Sequence, residues 1–240
     1  MPEITIASYN VHWGMGPRGR GFPAFDVVEA CRRLDADVLV LPESWAPDDG
    51  PPQHEQVADA LGMSMVCDAR LARSVLGPPP RTVGREDGSG TGGWHLAALS
   101  RLPFRAAEVI PLPHLLLDPV DRAVLAFDVV VDGSALAVRG THLPHLEFGV
   151  HLRTGALRRA LPTPTGPAAL IGDMNMWGWT IDRITPEGWR RVVKGKTWPA
   201  HRPHSQIDHA LVTPSVEAVW GEVGPDLGSD HLPIRARLRW

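Results

Sequence analysis

Short apolar runs of strand length recur along the whole chain, at 4–11, 37–41, 94–100, 123–131, 135–141, 168–171, 207–213, 216–220 and 232–238. Helical spacing is rarer. Phe25, Val28, Cys31 and Leu34 share one helical face, Val57, Ala60 and Leu61 another, and 150–161 carries a weaker version. With no regular strand-helix-strand period, such a chain predicts an α+β layer sandwich, two packed sheets with helices outside. Clusters of Pro and Gly at 14–23, 47–52, 77–93 and 161–167 fall between strands of one continuing pattern. They read as surface loops, so residues 1–240 are expected to form a single domain.

Composition narrows the class without naming it. A chain that is 43% hydrophobic and 21% charged has enough apolar side chain for a large core and is no disordered or coiled-coil protein. Its apolar runs are too short for a bilayer helix, and the first ten residues carry neither a cationic segment nor an apolar stretch of signal type. A cytoplasmic protein without a membrane span is the expectation. Cys31 and Cys67 are the only cysteines and form no CxxC, which argues against a disulfide scaffold or a thiolate metal site. A formal charge of −3 excludes nucleic-acid binding by bulk positive charge, though not a local basic groove.

The chemically capable residues gather where the strands stop. The run from Ile4 ends at Asn10, that from Val38 at Glu43, that from Leu136 at His142, and that from Ala169 at Asp173 and Asn175. Asp208 and the pair Asp230-His231 mark two further ends. Any one of these is an ordinary loop cap or turn residue. Six ends drawn only from Asn, Asp, Glu and His predict one cleft, if the sheets bring them together. So many carboxylates in one place require a cation or protons to be tolerable. Oxygen and amide ligands such as Glu43, Asn10 and Asp230 suit Mg²⁺ or Mn²⁺. The remaining carboxylates and imidazoles fit metal-assisted attack of water on phosphorus.

Seven segments carry a resemblance: Tyr9-Asn10-Val11, Leu41-Pro42-Glu43, Leu99-Ser100-Arg101, Thr141-His142-Leu143, Gly172-Asp173-Met174-Asn175, Gln206-Ile207-Asp208 and Ser229-Asp230-His231-Leu232-Pro233. In order and spacing they resemble the endonuclease/exonuclease/phosphatase superfamily, which includes exonuclease III-like and DNase I-like nucleases, inositol polyphosphate 5-phosphatases and sphingomyelinases. The resemblance covers nearly the whole chain. It implies a four-layer αββα sandwich of two packed, mostly antiparallel sheets with helices outside.

It also implies roles. Glu43 would be the principal metal ligand, with Asn10 and Asp230 in or beside its shell and Mg²⁺ or Mn²⁺ as the cofactor. Asp173 would position and activate water, and Asn175 would hold a phosphate oxygen. His231 would contact the scissile phosphate with Asp208 fixing its tautomer, and His142 would be a second phosphate contact or a proton donor to the leaving group. Arg122 matches a frequently basic position. Trp94 and Trp177 join it as candidate substrate-binding residues, since tryptophans near the motifs would stack on bases or cover an apolar headgroup, against simple core filling.

The pattern also departs from the superfamily. Pro42 stands where many members carry Gln, and no Lys follows in Glu43-Ser44-Trp45-Ala46-Pro47. That weakens a reading as an abasic-site repair enzyme. A nuclease-type phosphodiesterase is the leading expectation, with arginines such as Arg18, Arg20, Arg101, Arg122 and Arg139 tracking the strand. A phosphatase or phosphodiesterase for a small or lipid-linked phosphate is the alternative, and a non-catalytic binding module the remote one. The partner is thus nucleic acid or a small phosphoester, with no obligate protein partner.

Three other readings are weaker. Gly14, Gly16 and Gly19 fit GxGxxG, but further Gly and Pro separate them from any helix that could take a pyrophosphate. His142, His145 and His151, or His201, His204 and His209, lack both HExxH spacing and a cysteine partner for zinc. Ser100 with His142 and Asp173 lacks the GxSxG elbow of a hydrolase triad.

Overall fold

The computed structural model describes residues 1–16, 24–74, 91–114, 118, 120–145, 149–161 and 165–240. Arg18, Arg20 and the last glycine of the 14–19 motif lie outside them, as does the side chain of His151. The first sheet contains β1 (Glu3–Ser8), β2 (Val38–Pro47), β3 (Ser64–Ser74), β4 (Gly92–Ser100), β11 (Glu217–Val223) and β12 (Ile234–Arg239). Its order is β11-β12-β1-β2-β4-β3. The second sheet contains β5 (Phe104–Pro111), β6 (Ala123–Val131), β7 (Ser134–His142), β8 (Ala168–Asp173), β9 (Arg190–Arg191) and β10 (Asp208–Val212). It runs β5-β6-β7-β8-β10-β9. Each sheet has one parallel pair, β1 with β2 and β7 with β8, and is otherwise antiparallel.

The near-continuous apolar strands are explained by burial on both faces. In β2, Val38 and Val40 face the second sheet and join Ile4, Ile6, Leu125, Phe127, Leu136, Val138 and Ile171 in the central core. Their neighbours Leu39 and Leu41 face outward against α1 (Val27–Leu34) and α2 (Gln53–Leu61), through Ala30, Cys31, Leu34, Val57 and Ala58. On the other side α3 (Val150–Ala160) and α4 (Gly178–Ile184) cover Val124, Leu170 and Leu211 with Ala156, Leu157, Ala160 and Ile181. Four layers result, αββα. The first helix starts where Asp26 accepts a hydrogen bond from the Glu29 N–H, and it ends at Asp35 in the left-handed region.

Three strands escape the apolar pattern, β3, β5 and β9, and all three are sheet edges. β3 sends Val66 and Leu71 into the central core but does not keep a regular alternation, and β9 is only two residues long. Five consecutive residues of β5 are exposed, and β3 is broken by two register shifts against β4. Among the described residues no helix is long and apolar enough to cross a membrane.

Candidate active site

Both sheets end on the same side of the molecule, and their register sets the polar residues beside one another. In the second sheet Asp173, the last residue of β8, pairs with His142 of β7 on one side and Asp208 of β10 on the other. The approach is close enough that a Cβ on Gly172 would lie 1.9 Å from the Thr141 carbonyl oxygen, so only glycine fits before Asp173. From the first sheet come Asn10 beyond β1, Glu43 in β2, and Asp230-His231 just ahead of β12. Glu43 corrects one expectation. It lies not past the end of its strand but inside it, at a bulge between Leu41 and Ser44 with φ of 58°. The bulge turns a carboxylate out of the apolar alternation. Seven described non-glycine residues have positive φ, and four of them, His12, Trp13, Glu43 and Asn175, line this cavity. Strain of this kind persists only where the surroundings enforce it.

Hydrogen bonds tie the motifs into one network. Asn10 Nδ2 donates to Glu43 Oε1 at 3.2 Å and to Asp173 Oδ2 at 3.1 Å. Its Oδ1 accepts the His12 N–H at 3.0 Å, which fixes the amide orientation. Asn10 therefore faces the carboxylates as a donor. Asp173 Oδ1 accepts the Asn175 N–H, and Asn175 Nδ2 donates to the Leu143 carbonyl. His231 Nδ1 lies 2.9 Å from Asp208 Oδ2, and its Nε2 is 3.8 Å from Asp173. The Ser229 hydroxyl donates to the Asn10 carbonyl at 2.7 Å, and the Ser229 N–H donates to the buried Tyr9 hydroxyl at 3.0 Å. Tyr9 and Ser229 thus splice the first and last motifs together.

Burial and mutual repulsion set the charges of these side chains. Burial opposes ionisation of His231, yet Asp208 and Asp173 outweigh it and hold the imidazole well above its ordinary pKa, so it is an imidazolium at neutral pH. Asp173, Asp208 and His231 are close enough to hold a metal, and the imidazolium supplies one positive charge among them. Glu43 also feels the His231 charge and the Asn10 amide, but they do not outweigh its burial. Burial, then the Asp230 charge, push it up to about 7. Asp173 is also pushed up to about 7, by burial and then Asp208. A divalent cation held by Glu43 and Asp230 would relieve the penalty with hard oxygen donors. The residues present fit the group. Burial holds His142 well below its usual pKa, so it is neutral, 3.6 Å from Asp173 and 3.8 Å from Glu43.

These residues surround a cavity of about 380 Å³. Its wall includes Glu43, Trp94, Arg122, His142, Asp173, Asn175, Asp230 and His231, with Asp208 behind His231. Trp177 is not among the lining residues. It is 40% exposed and stacks on Trp179 instead. Arg122 is buried, its Nε donating to Asp118 at 2.9 Å, while its Nη1 is buried without a partner among the described residues. An orphaned guanidinium N–H beside a cavity is a ready anion contact.

Sequence reasoning missed His12, Asp118 and Trp198 as site residues. His12 Nδ1 lies 3.4 Å from Asp230, and Trp198 Nε1 donates to Asp230 at 3.4 Å. Trp13 meets Trp94 edge to face at 5.2 Å. Asp118 had a signal, standing four residues before Arg122. Trp198 sits in an aperiodic segment and had none. Elsewhere His209 is buried on the Met176 carbonyl and His204 packs on Trp198. Neither belongs to a cluster able to hold a metal among the described residues.

The model of the Endonuclease/Exonuclease/phosphatase family matches residues 7–231. None of the curated proteins matches the sequence. Among solved structures, an endonuclease/exonuclease/phosphatase from Beutenbergia cavernae superposes with TM-score 0.74 at 22% identity, over 100% of this chain and 72% of its own. A Bacteroides thetaiotaomicron mannosyl-6-phosphatase gives 0.67 at 18%, over 99% and 100%. D. rerio TDP2 complexed with single strand DNA product gives 0.66 at 19%, over 100% of both chains.

Proposed function

The chain belongs to the endonuclease/exonuclease/phosphatase family of phosphoester hydrolases, and from that premise we propose that it is a divalent-cation-dependent hydrolase of a compact phosphoester. One observation carries the choice of substrate. The cavity holds about 380 Å³ and is walled by Trp13, Trp94 and Trp198, a volume suited to a small molecule or one nucleotide rather than a duplex. Unpartnered Arg122 Nη1 offers one buried guanidinium contact, enough for a single phosphate. The nuclease reading that ranks first from sequence thereby becomes second. What favours it is the exposed Trp177 and Trp179 pair, stacked at 6.0 Å, which suits a single-stranded base.

Glu43 and Asp230 would hold Mg²⁺ or Mn²⁺, which would supply Lewis-acid stabilisation of charge on the phosphate oxygens. The residues of the chain do the rest. Asp173, poised near neutrality and fixed by the Asn10 amide and the Asn175 N–H, accepts a proton from the attacking water. His231, an imidazolium held by Asp208, turns Nε2 toward the phosphate and stabilises the transition-state charge. Neutral His142 donates an N–H to a phosphate oxygen. Asn175, anchored on the Leu143 carbonyl, holds another. We read residues 1–240 as one catalytic unit acting without an obligate protein partner, in the cytoplasm.

The test is a substrate panel in Mg²⁺, with sugar phosphates and aryl mono- and diesters set against single-stranded and duplex oligonucleotides. Turnover of a small ester with shallow salt dependence is expected. Cleavage of oligonucleotides alone, with affinity falling steeply in salt, would overturn the compact-substrate reading.

A further inference from the structure

A second cluster of ligand-type side chains lies away from this cavity. In β2 and β4 the alternation of side chains sends Glu43 and Trp94 to the cavity, while their neighbours Ser44 and His95, paired across the strands, face α2. There His54 of α2, Asp68 of β3 and His95 of β4 converge, one ligand atom from each lying within 4.8 Å of the others. His95 Nδ1 is 2.6 Å from Asp68 Oδ2, and His54 Nε2 is 4.0 Å from the same oxygen. The two imidazole rings stand 5.3 Å apart.

His54 is the informative member. It is 2% exposed, and its Nδ1 lies 3.0 Å from the Ser44 hydroxyl. That bond leaves Nε2 as the nitrogen turned to the cluster, and Nε2 has no hydrogen bond among the described residues. A buried imidazole oriented by a hydroxyl on one nitrogen, with the other aimed at a carboxylate and a second imidazole, is the arrangement of metal-ligating histidine. We propose that His54 Nε2, Asp68 Oδ2 and His95 Nδ1 form a second metal site, for a borderline divalent cation of the Zn²⁺ class, on the sheet face opposite the acidic cavity.

The donor set decides the class of cation. Two imidazoles and one carboxylate suit Zn²⁺, whereas Mg²⁺ prefers oxygen donors and keeps its waters. Tetrahedral Zn²⁺ with bonds of about 2.1 Å separates its ligands by about 3.4 Å. The cation therefore spreads His95 from Asp68 and draws His54 in, each by under about 1 Å. Asp68 is 38% exposed at its side chain, so water completes the fourth position. Two strands and a helix carry the ligands, which favours a defined geometry. The consequence reaches the cavity. Gln53, next to His54, accepts the Trp45 N–H and donates to the Trp13 carbonyl, each at 2.9 Å. A cation that ties α2 to β3 and β4 braces the wall holding Trp13.

The test uses chelator-stripped protein carrying Glu43→Gln, Asp230→Asn and Asp173→Asn, which removes the ligands proposed for the cavity and breaks up the Asp173, Asp208 and His231 group. Co²⁺ titration followed by electronic absorption, and Zn²⁺ competition against a chromophoric chelator, are run in excess Mg²⁺. One equivalent with a tetrahedral Co²⁺ spectrum is expected, insensitive to Mg²⁺. Asp68→Ala and His95→Gln should each weaken it by on the order of 100-fold or more, and Ser44→Ala by about 10 to 100-fold. Asp68 is on the surface, so Asp68→Ala decides the matter even where His95→Gln fails to fold. Equal Zn²⁺ affinity in Asp68→Ala, or no Zn²⁺ retained by the parent in excess Mg²⁺, would reduce the cluster to a hydrogen-bonded His-Asp pair and overturn the proposal.

Discussion

Replacing Asp208 by Asn isolates one buried charge at the reacting centre. Asp208 accepts from His231 Nδ1 at 2.9 Å, and both side chains are almost wholly buried. Asn has the same shape and keeps an acceptor, so the substitution changes electrostatics more than packing. A hydrogen bond between charged groups contributes about 1.5–3 kcal/mol, and 1.36 kcal/mol is a factor of ten, so kcat should fall by on the order of 10 to 100-fold. Burial opposes the charge on His231, and Asp208 is the first of the groups that overcome it. Without it the imidazolium should release its proton at lower pH, moving the alkaline limb of the kcat profile toward neutrality. Stability follows the same sign. A group whose folded pKa is raised stabilises fully below its unfolded value of 6.5 and loses that contribution as pH rises through the folded value. Asp208→Asn should therefore lower Tm more in mild acid than in mild base. The assay is steady-state kinetics against pH, beside an NMR titration of the His231 ring. Because Asp208 acts through His231, the double variant should be no slower than His231→Gln alone, itself reduced on the order of 10² to 10⁴. Losses that multiply in the double variant would refute the coupling.

Three further outcomes are expected. Glu43 and Asp173 hold protons up to about 7 in the folded chain because burial opposes their charge, whereas the unfolded chain releases them near 4. Chelated protein should thus lose stability, by on the order of a few kcal/mol, as pH rises from 5 to 8, and Mg²⁺ should flatten that slope; a chelated protein that gains stability over this range contradicts the assignment. Arg122→Ala should lower kcat/KM by on the order of 10 to 100-fold and destabilise the fold by leaving Asp118 buried and unpaired. Adding Asp118→Asn should restore Tm but not kcat/KM, and recovery of both would make Arg122 a structural residue only. Trp177→Ala with Trp179→Ala should leave small-ester turnover unchanged while weakening any oligonucleotide binding by about 1–3 kcal/mol per stacked base, read by fluorescence anisotropy.

The layered fold and the polar strand ends were legible because both follow from local pattern. Ile4 to Asn10 and Ala169 to Asn175 each show an apolar run that stops at polar residues, and the recurrence of such ends, rather than any one of them, pointed to a site. What remained hidden lacks a local pattern. The edge strand β5 buries too little to alternate, and two register shifts interrupt the alternation of β3. The position of Glu43 inside β2 depends on a bulge, which one sequence does not announce. His54, Asp68 and His95 come from a helix and two strands, so no spacing rule links them. Trp94 and Trp177 looked alike in sequence, yet the alternation of β4 turns one to the cavity, whereas the other caps the start of α4 and stacks on Trp179 at the surface.

Hydrolysis by chelated and by Mg²⁺-reconstituted protein, in parallel with Asp173→Asn, tests the central claim most directly. Turnover of a phosphoester should require Mg²⁺ or Mn²⁺ and vanish in excess chelator. Asp173→Asn should lose at least about 100-fold in kcat while remaining folded. Full turnover in chelator, or an unimpaired Asp173→Asn, would contradict a cation-dependent phosphoesterase site at the joined ends of the two sheets.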